Sequence, residues 1–170
     1  MILRPATLDD APALANFGRA SFVAAFGHLY RPADLATFAA ETYAVEAVAA
    51  EIAGRECTHR LAEIDGSLVG YCKMRLPSKL ADHSTARNPI ELAQIYTDPA
   101  RTGQGIGAAL IDWALDVARA GGHDAIQLSV WSGNVGAHRF YARYGFAKIA
   151  DIHFRVGEQL DEEYLFEKRM

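Results

Sequence analysis

Cysteine is scarce in this chain of 170 residues, with only Cys57 and Cys72. Their spacing matches neither a disulfide framework nor a metal-ligand pattern, so both are read as ordinary thiols and no metal is expected. Long apolar runs are also missing. No segment approaches the roughly 20 apolar residues of a membrane span, and Met1-Ile2-Leu3-Arg4-Pro5 lacks the apolar stretch of a secretory leader. The expectation is a soluble, cytoplasmic protein without a membrane partner. Positive charge is not in excess either: a net charge of −4 speaks against nucleic acid as a partner and permits a cationic ligand. Repeats, low-complexity tracts and linkers are absent. One domain over residues 1–170 is expected, with 51% hydrophobic residues to fill a single core.

What is present is a succession of short strands and helices. Ile2 to Arg4 suits a first strand, and Thr7-Leu8-Asp9-Asp10 offers an N-cap with an acidic residue three places on. The helix that follows carries Leu14, Phe17, Phe22 and Phe26. Gly27-His28-Leu29-Tyr30 interrupts it, and Pro32 starts one or two further helices that reach Gly54. His59 to Ile64 and Leu68 to Leu76 alternate around Asp65-Gly66, which predicts a hairpin. Pro77 to Pro89 has no periodicity and is expected to be a mobile loop. Ile90 to Thr97 predicts a strand, and Ile106, Leu110, Trp113, Ala114 and Val117 form a helical stripe ending at Gly121-Gly122. Trp113 belongs to that stripe, which favours burial over stacking on a ligand's base. Ile126 to Val130 is the next strand, followed by a short helix capped by Asn134, and Phe146 to Val156 and Glu163 to Phe166 are the last strands. The order predicts an α/β fold with a mixed, mostly antiparallel sheet of about six or seven strands, flanked by helices on both faces.

The stretch from Asn88 to Gly107 combines a strand, a turn at Asp98-Pro99 and a glycine-rich loop that opens a helix. Gly103, Gly105 and Gly107 remove the Cβ atoms that would keep a ligand from the backbone, so amides from Gln104 to Ala108 can face an anion at the positive end of the helix dipole. Three chemistries use such a loop. A P-loop needs Gly-Lys-Ser/Thr, whereas Ala108 and Ala109 follow Gly107. A dinucleotide fingerprint fits formally over Gly103 to Ala108, but the acidic residue that should end the next strand is missing: Asp124 precedes that strand and Trp131 stands at its end. The third is the pyrophosphate of coenzyme A.

The downstream residues Leu128-Ser-Val-Trp-Ser-Gly-Asn134, Ala137 and Phe140-Tyr-Ala-Arg-Tyr-Gly-Phe146 favour the third. Together with the glycine loop, they make residues 88–146 resemble the GCN5-related N-acetyltransferase superfamily. The resemblance implies a sheet with a splayed parallel centre and acetyl-CoA as acetyl donor. It implies that Ile95, Tyr96 and Thr97 hold the pantetheine arm through their backbone, with Thr102, Gly103, Gln104, Gly105, Ile106, Gly107 and Ala108 around the pyrophosphate. Thr102 stands where the family usually has Gln or Arg, and the loop is expected to survive because its phosphate contacts are backbone amides. Asn134 would cap its helix and bond the pantetheine amide. Tyr141, in the pattern Asn134-x-x-Ala137-x-x-x-Tyr141, matches the tyrosine that donates to the departing sulfur.

Acetyl transfer to an amine also needs a route for the amine's proton, because an alkyl ammonium of pKa about 10.4 is not nucleophilic. Glu91 lies six residues before Thr97, where histone-acetylating members of the family place a general base. A base at Glu91 and a chain of waters are both open. His28 and Tyr30 are candidates for contact with the acceptor, packing of an inter-helix turn being the other reading. Residues 21–30, 129–134 and 154–166 further resemble the bacterial spermine/spermidine acetyltransferases, which implies a small polyamine. Glu41, Glu46, Glu91, Glu158, Asp161, Glu162 and Glu163 are the acidic residues expected near the channel. Acetylation of a protein α-amine or lysine, a non-catalytic acyl-CoA sensor and a homodimer all stay open.

Overall fold

The computed structural model describes all residues from Met1 to Met170. Seven strands form one sheet: β1 (Ile2–Pro5), β2 (Cys57–Ile64), β3 (Ser67–Arg75), β4 (Pro89–Thr97), β5 (Ala125–Trp131), β6 (Ala147–Val156) and β7 (Gln159–Arg169), in the spatial order β1-β2-β3-β4-β5-β7-β6. Every neighbouring pair is antiparallel except β4 with β5. This is the mixed sheet the strand order predicts. Asp65 (φ 51°) and Gly66 (φ 73°) make the two-residue turn between β2 and β3, where both positions need the left-handed region.

Alternation along the strands sends neighbouring side chains to opposite faces of the sheet. Cys72 packs into one apolar cluster while Tyr71 packs into another. The first face carries α4 (Ile106–Ala120) and α5 (Val135–Arg143), and the second carries α1 (Ala11–Phe26), α2 (Pro32–Thr42) and α3 (Val45–Ala53). Pro32 sits in the first turn of α2, where its missing N–H is not needed. α4 buries Ile106, Leu110, Ile111, Ala114, Leu115 and Ala118. Trp113 and Val117 therefore lie at the rim of the expected stripe, and the guanidinium of Arg60 sits 5.0 Å from the centre of the Trp113 ring.

Gly70 of β3 is where this layer presses hardest. A Cβ there would lie 2.9 Å from Ile106 Cγ2 and 2.9 Å from the Tyr96 carbonyl oxygen. Gly70→Ala is expected to destabilise the protein by about 1–3 kcal/mol through overpacking. Urea unfolding would show this as a lower midpoint at unchanged slope. An unchanged midpoint would mean that α4 can move off the sheet without cost.

Two expectations change. Residues 77–88, expected to be mobile, are tied to the sheet because their polar side chains meet buried partners: Ser78 donates to Gln127 Oε1 at 2.6 Å, Lys79 N–H donates to Glu91 Oε2 at 2.8 Å, and Ser84 donates to Glu167. β7 starts at Gln159 rather than Glu163, since the turn after β6 uses only Gly157 and Glu158 between the paired Val156 and Gln159. That extension places Asp161, Glu163, Leu165 and Glu167 on one face of the strand.

Candidate functional site

The parallel pair at the centre of the sheet is short. β4 and β5 stay in register only for Pro89↔Ala125, Ile90↔Ile126 and Glu91↔Gln127. Beyond that, β4 runs on to Thr97 against β3 alone, and β5 runs on to Trp131 against β7. The β3 to β4 register shifts between Lys73↔Gln94 and Met74↔Leu92, so Ala93 is an extra residue on β4. A bulge of this kind bends a strand, and it sits where the two strands part. From Leu92 to Thr97, the side of β4 that faces β5 has no strand partner.

The glycine loop lies just past the end of that open edge. Gly103 (φ 83°) and Gly105 (φ 79°) are left-handed, and a Cβ on either would meet nothing within 4 Å. Gly107 differs from the expectation of three equivalent glycines: its Cβ would make an ordinary 3.6 Å contact with Phe140. The amides of Gly103, Gly105, Ile106, Gly107 and Ala108 donate to no acceptor in the protein, the first helical bond being Ala109 N–H to Gly105 O at 3.0 Å. Five free N–H groups thus surround the start of a fifteen-residue helix, which is the arrangement that binds an anion. Other loop residues hold its shape. Gln104 N–H donates to Arg101 O at 3.3 Å, Thr102 Oγ1 donates to Pro99 O at 2.9 Å, and Asp98 accepts from Ala100 N–H at 2.9 Å.

A cleft of about 750 Å³ opens between the parted strands and the helices over the second face. Thr97 and Pro99 are at its loop end, and Ile95, Tyr96, Asn134 and Tyr141 also line it. Asn134 accepts from Ala137 N–H at 3.1 Å through Oδ1, so it caps α5 as expected, and its amide nitrogen has no protein partner. Tyr141 is 7% exposed, and its hydroxyl has no protein partner. Burial pushes its phenol well above the usual range, with Cys72 and Tyr96 adding to the shift, so it is a donor at neutral pH. Tyr96 is pushed up to about 12, first by burial, with the Tyr43 hydroxyl acting the other way and Glu163 adding. Tyr144 lies outside the lining of the cleft and packs its ring against Phe140.

The remaining candidates separate. Glu91 lines the cleft but is not a solvated carboxylate: it is 7% exposed, Arg75 Nη1 donates to Oε1 at 2.8 Å, and Lys79 N–H occupies Oε2. Tyr30 reaches the cleft and donates to Asp161 Oδ2 at 2.5 Å. His28 is exposed outside the lining, its ring against the edge of Trp131 at 5.8 Å. Of the seven acidic residues expected near a channel, only Glu91, Asp161 and Glu163 line it. Glu41, Glu46 and Glu162 are exposed elsewhere, and Glu158 pairs with Arg31 at 2.8 Å. Sequence reasoning did not single out Phe22, Tyr43, Ser129 or Trp131, which also line the cleft. For Ser129 and Trp131 the signal was there, since a period of two from Gln127 puts them on the cleft face of β5.

The sequence pattern of the acetyltransferase (GNAT) family matches residues 23–146. An N-acetyltransferase of Lactobacillus delbrueckii subsp. lactis, from the pepI 3′ region, is 26% identical over 161 residues, covering 95% of this chain and 92% of that protein. A mycothiol acetyltransferase of Beutenbergia cavernae is 36% identical over 93 residues, which is 55% of this chain and 28% of that protein. Among solved structures, the PaiA N-acetyltransferase from Thermoplasma acidophilum, in complex with coenzyme A, shares the fold with a TM-score of 0.79 at 21% identity, covering 99% of this chain and 98% of that one.

Proposed function

The chain belongs to the acetyltransferase (GNAT) family, and from that premise we propose that it moves the acetyl group of acetyl-CoA to a primary amine, with a small polyamine of the spermidine type as acceptor. The observation that carries the donor half is the free edge of β4 running into a loop with five unbonded amides. When bound, acetyl-CoA supplies a thioester carbonyl for a neutral amine to attack. The amides of Gly103, Gly105, Ile106, Gly107 and Ala108 hold the pyrophosphate, while Thr102 and Gln104 keep the loop in shape. The open backbone at Ile95, Tyr96 and Thr97 pairs with the pantetheine arm, joined by the free amide nitrogen of Asn134. Tyr141 keeps its proton and directs its hydroxyl at the sulfur as charge develops there.

Glu91 takes a different place from the one its position in the chain suggests. With both oxygens engaged by Arg75 and Lys79 N–H, it braces the wall of the cleft. The amine's proton then leaves through water in the open cleft.

The acceptor half rests on charge and on shape. Tyr30 bonds Asp161, Arg31 pairs with Glu158, and Asp34 lies so close to Gly157 that a Cβ there would be 2.3 Å from Asp34 Cγ. The start of α2 thus meets the turn between β6 and β7 over one end of the cleft, which suits a small amine better than a folded protein's lysine. A thiol-release assay with spermidine, a monoamine of similar length and an N-terminal peptide at two ionic strengths tests the reading. Spermidine is expected to have the highest kcat/KM, and its KM to rise with salt as attraction is screened over a Debye length of about 8–10 Å. Equal kcat/KM for all three would replace the polyamine with a broad amine range. Release from the peptide alone would make this a protein acetyltransferase, and release from none would leave an acyl-CoA sensor.

A further inference from the structure

The charged side chains of the cleft are not balanced. Lys73 pairs with Glu51 at 2.9 Å, and Arg75 pairs with Glu91 at 2.8 Å. Lys79 sits on the loop whose backbone bonds Glu91, at the other wall. Asp161 and Glu163, two residues apart on the cleft face of β7, have no cationic partner. Asp161 is 5% exposed, and only neutral donors reach it: Tyr30 Oη on Oδ2 and Gln159 Nε2 on Oδ1 at 3.0 Å. Glu163 is partly buried and lies in no ion pair. Two neighbouring carboxylates, one of them buried, are costly to hold without a cation, and the usual resolution is a partner charge.

The lining of the cleft points to a ligand as that partner. Phe22, Phe38, Tyr96 and Trp131 also line the cleft, and aromatic faces attract an ammonium and cover its methylenes. Burial and the neighbouring Asp161 raise the Glu163 carboxyl above its usual range, with the Ser129 hydroxyl acting the other way. The charge of a bound cation would act against both raising effects.

We infer that Glu163, with Asp161 beside it, is the carboxylate that holds the acceptor's distal ammonium in the cleft while its other, neutral amine reacts, and that it selects cationic amines over neutral ones. The inference rests on the amine-acetylating reading above and assigns its specificity to β7 rather than to Glu91. Asp161 supports Glu163 from its bonds to Tyr30 and Gln159, and it keeps the second negative charge one strand period away.

The experiment compares spermidine with hydroxylamine, an amine that is largely uncharged near neutral pH, in the wild type, Glu163→Gln and Glu163→Asp. Titration of acetyl-CoA by calorimetry reports that each variant is folded. In Glu163→Gln, kcat/KM for spermidine is expected to fall at least roughly tenfold more than kcat/KM for hydroxylamine, mainly through KM, because one charge-assisted hydrogen bond is lost. Glu163→Asp keeps the charge and should recover part of that selectivity. The salt dependence of the spermidine KM should also weaken in Glu163→Gln. Equal losses for the two amines, or a spermidine KM within twofold of wild type, would overturn the assignment while leaving acetyl transfer intact. A wild type that releases thiol with no amine would instead remove the acetylating reading itself. If Glu163→Gln fails to bind acetyl-CoA, Glu163→Asp carries the test, and a loss of spermidine selectivity there as complete as neutralisation predicts would contradict the charge argument.

Discussion

Tyr141→Phe is expected to lower kcat by about 10² to 10³, the usual cost of removing one donor to developing charge, with little change in acetyl-CoA affinity or in stability. The stability half follows from contacts. The ring packs edge-on against Phe146 at 5.7 Å and Phe140 at 5.3 Å, and those contacts survive in phenylalanine. The hydroxyl has no bond in the protein to lose, so its removal leaves no buried partner unsatisfied. The rate half follows from the sulfur. A thiol's reference pKa of about 8.5 lies below that of a phenol at about 10, so full proton transfer from Tyr141 to the thiolate is uphill, and burial widens the gap. In the proposed role the group would donate a hydrogen bond as the C–S bond lengthens, an interaction absent from the ground state, and its loss should then appear in kcat. Tyr144→Phe is the control, since that ring lies outside the cleft. Steady-state rates with calorimetric acetyl-CoA affinities decide it. A full-rate Tyr141→Phe beside a crippled Tyr144→Phe would move the donor one turn along the chain.

Much of this fold was legible because its signals are local. Asp65-Gly66 specified a hairpin, Pro32 began a helix, Asn134 capped α5, and the run from Ile90 through Gly107 gave strand, turn and loop in order. The glycine spacing also marked the loop with the unbonded amides, though it could not separate Gly103 and Gly105, which open onto free space, from Gly107, which faces Phe140. What stayed hidden depends on contacts between distant segments. Glu91 was a candidate base from its place six residues before Thr97, and only the fold brings Arg75 and Lys79 N–H onto it. The loop after Pro77 lacked any periodicity, yet Ser78 and Ser84 anchor it to Gln127 and Glu167, residues 49 and 83 positions away in sequence. The acidic residues show the same limit. Seven were plausible by sequence, and the pairing of α2 with the last hairpin sorts Asp161 and Glu163 into the cleft while Glu158 goes to Arg31 on its outside.

Gly105→Val is the substitution expected to abolish acetyl-CoA binding, weakening it by roughly 10² or more, which corresponds to about 2.7 kcal/mol. Two effects combine at this position. Its φ of 79° is unfavourable for a β-branched residue, at a cost of about 1–3 kcal/mol if the loop keeps its shape. If the loop does keep its shape, the new side chain projects into the empty space beside the five free amides, where the pyrophosphate is proposed to lie. If it does not, Ile106, Gly107 and Ala108 lose their common direction, and the helix N-terminus no longer converges on one anion. Either way the loss is local, because Gly105 is exposed and the residues anchoring α4, Leu110, Ile111 and Ala114, are untouched. Gly122→Val separates the cradle from simple backbone strain. Gly122 has φ 65°, faces equally open space and lies just past the opposite end of α4. It should therefore suffer a comparable stability loss in urea unfolding while binding acetyl-CoA as the wild type does. Calorimetric titration of both variants distinguishes the causes: equal loss of affinity would assign the effect to strain in α4, and full affinity in a folded Gly105→Val would place the pyrophosphate elsewhere on the protein.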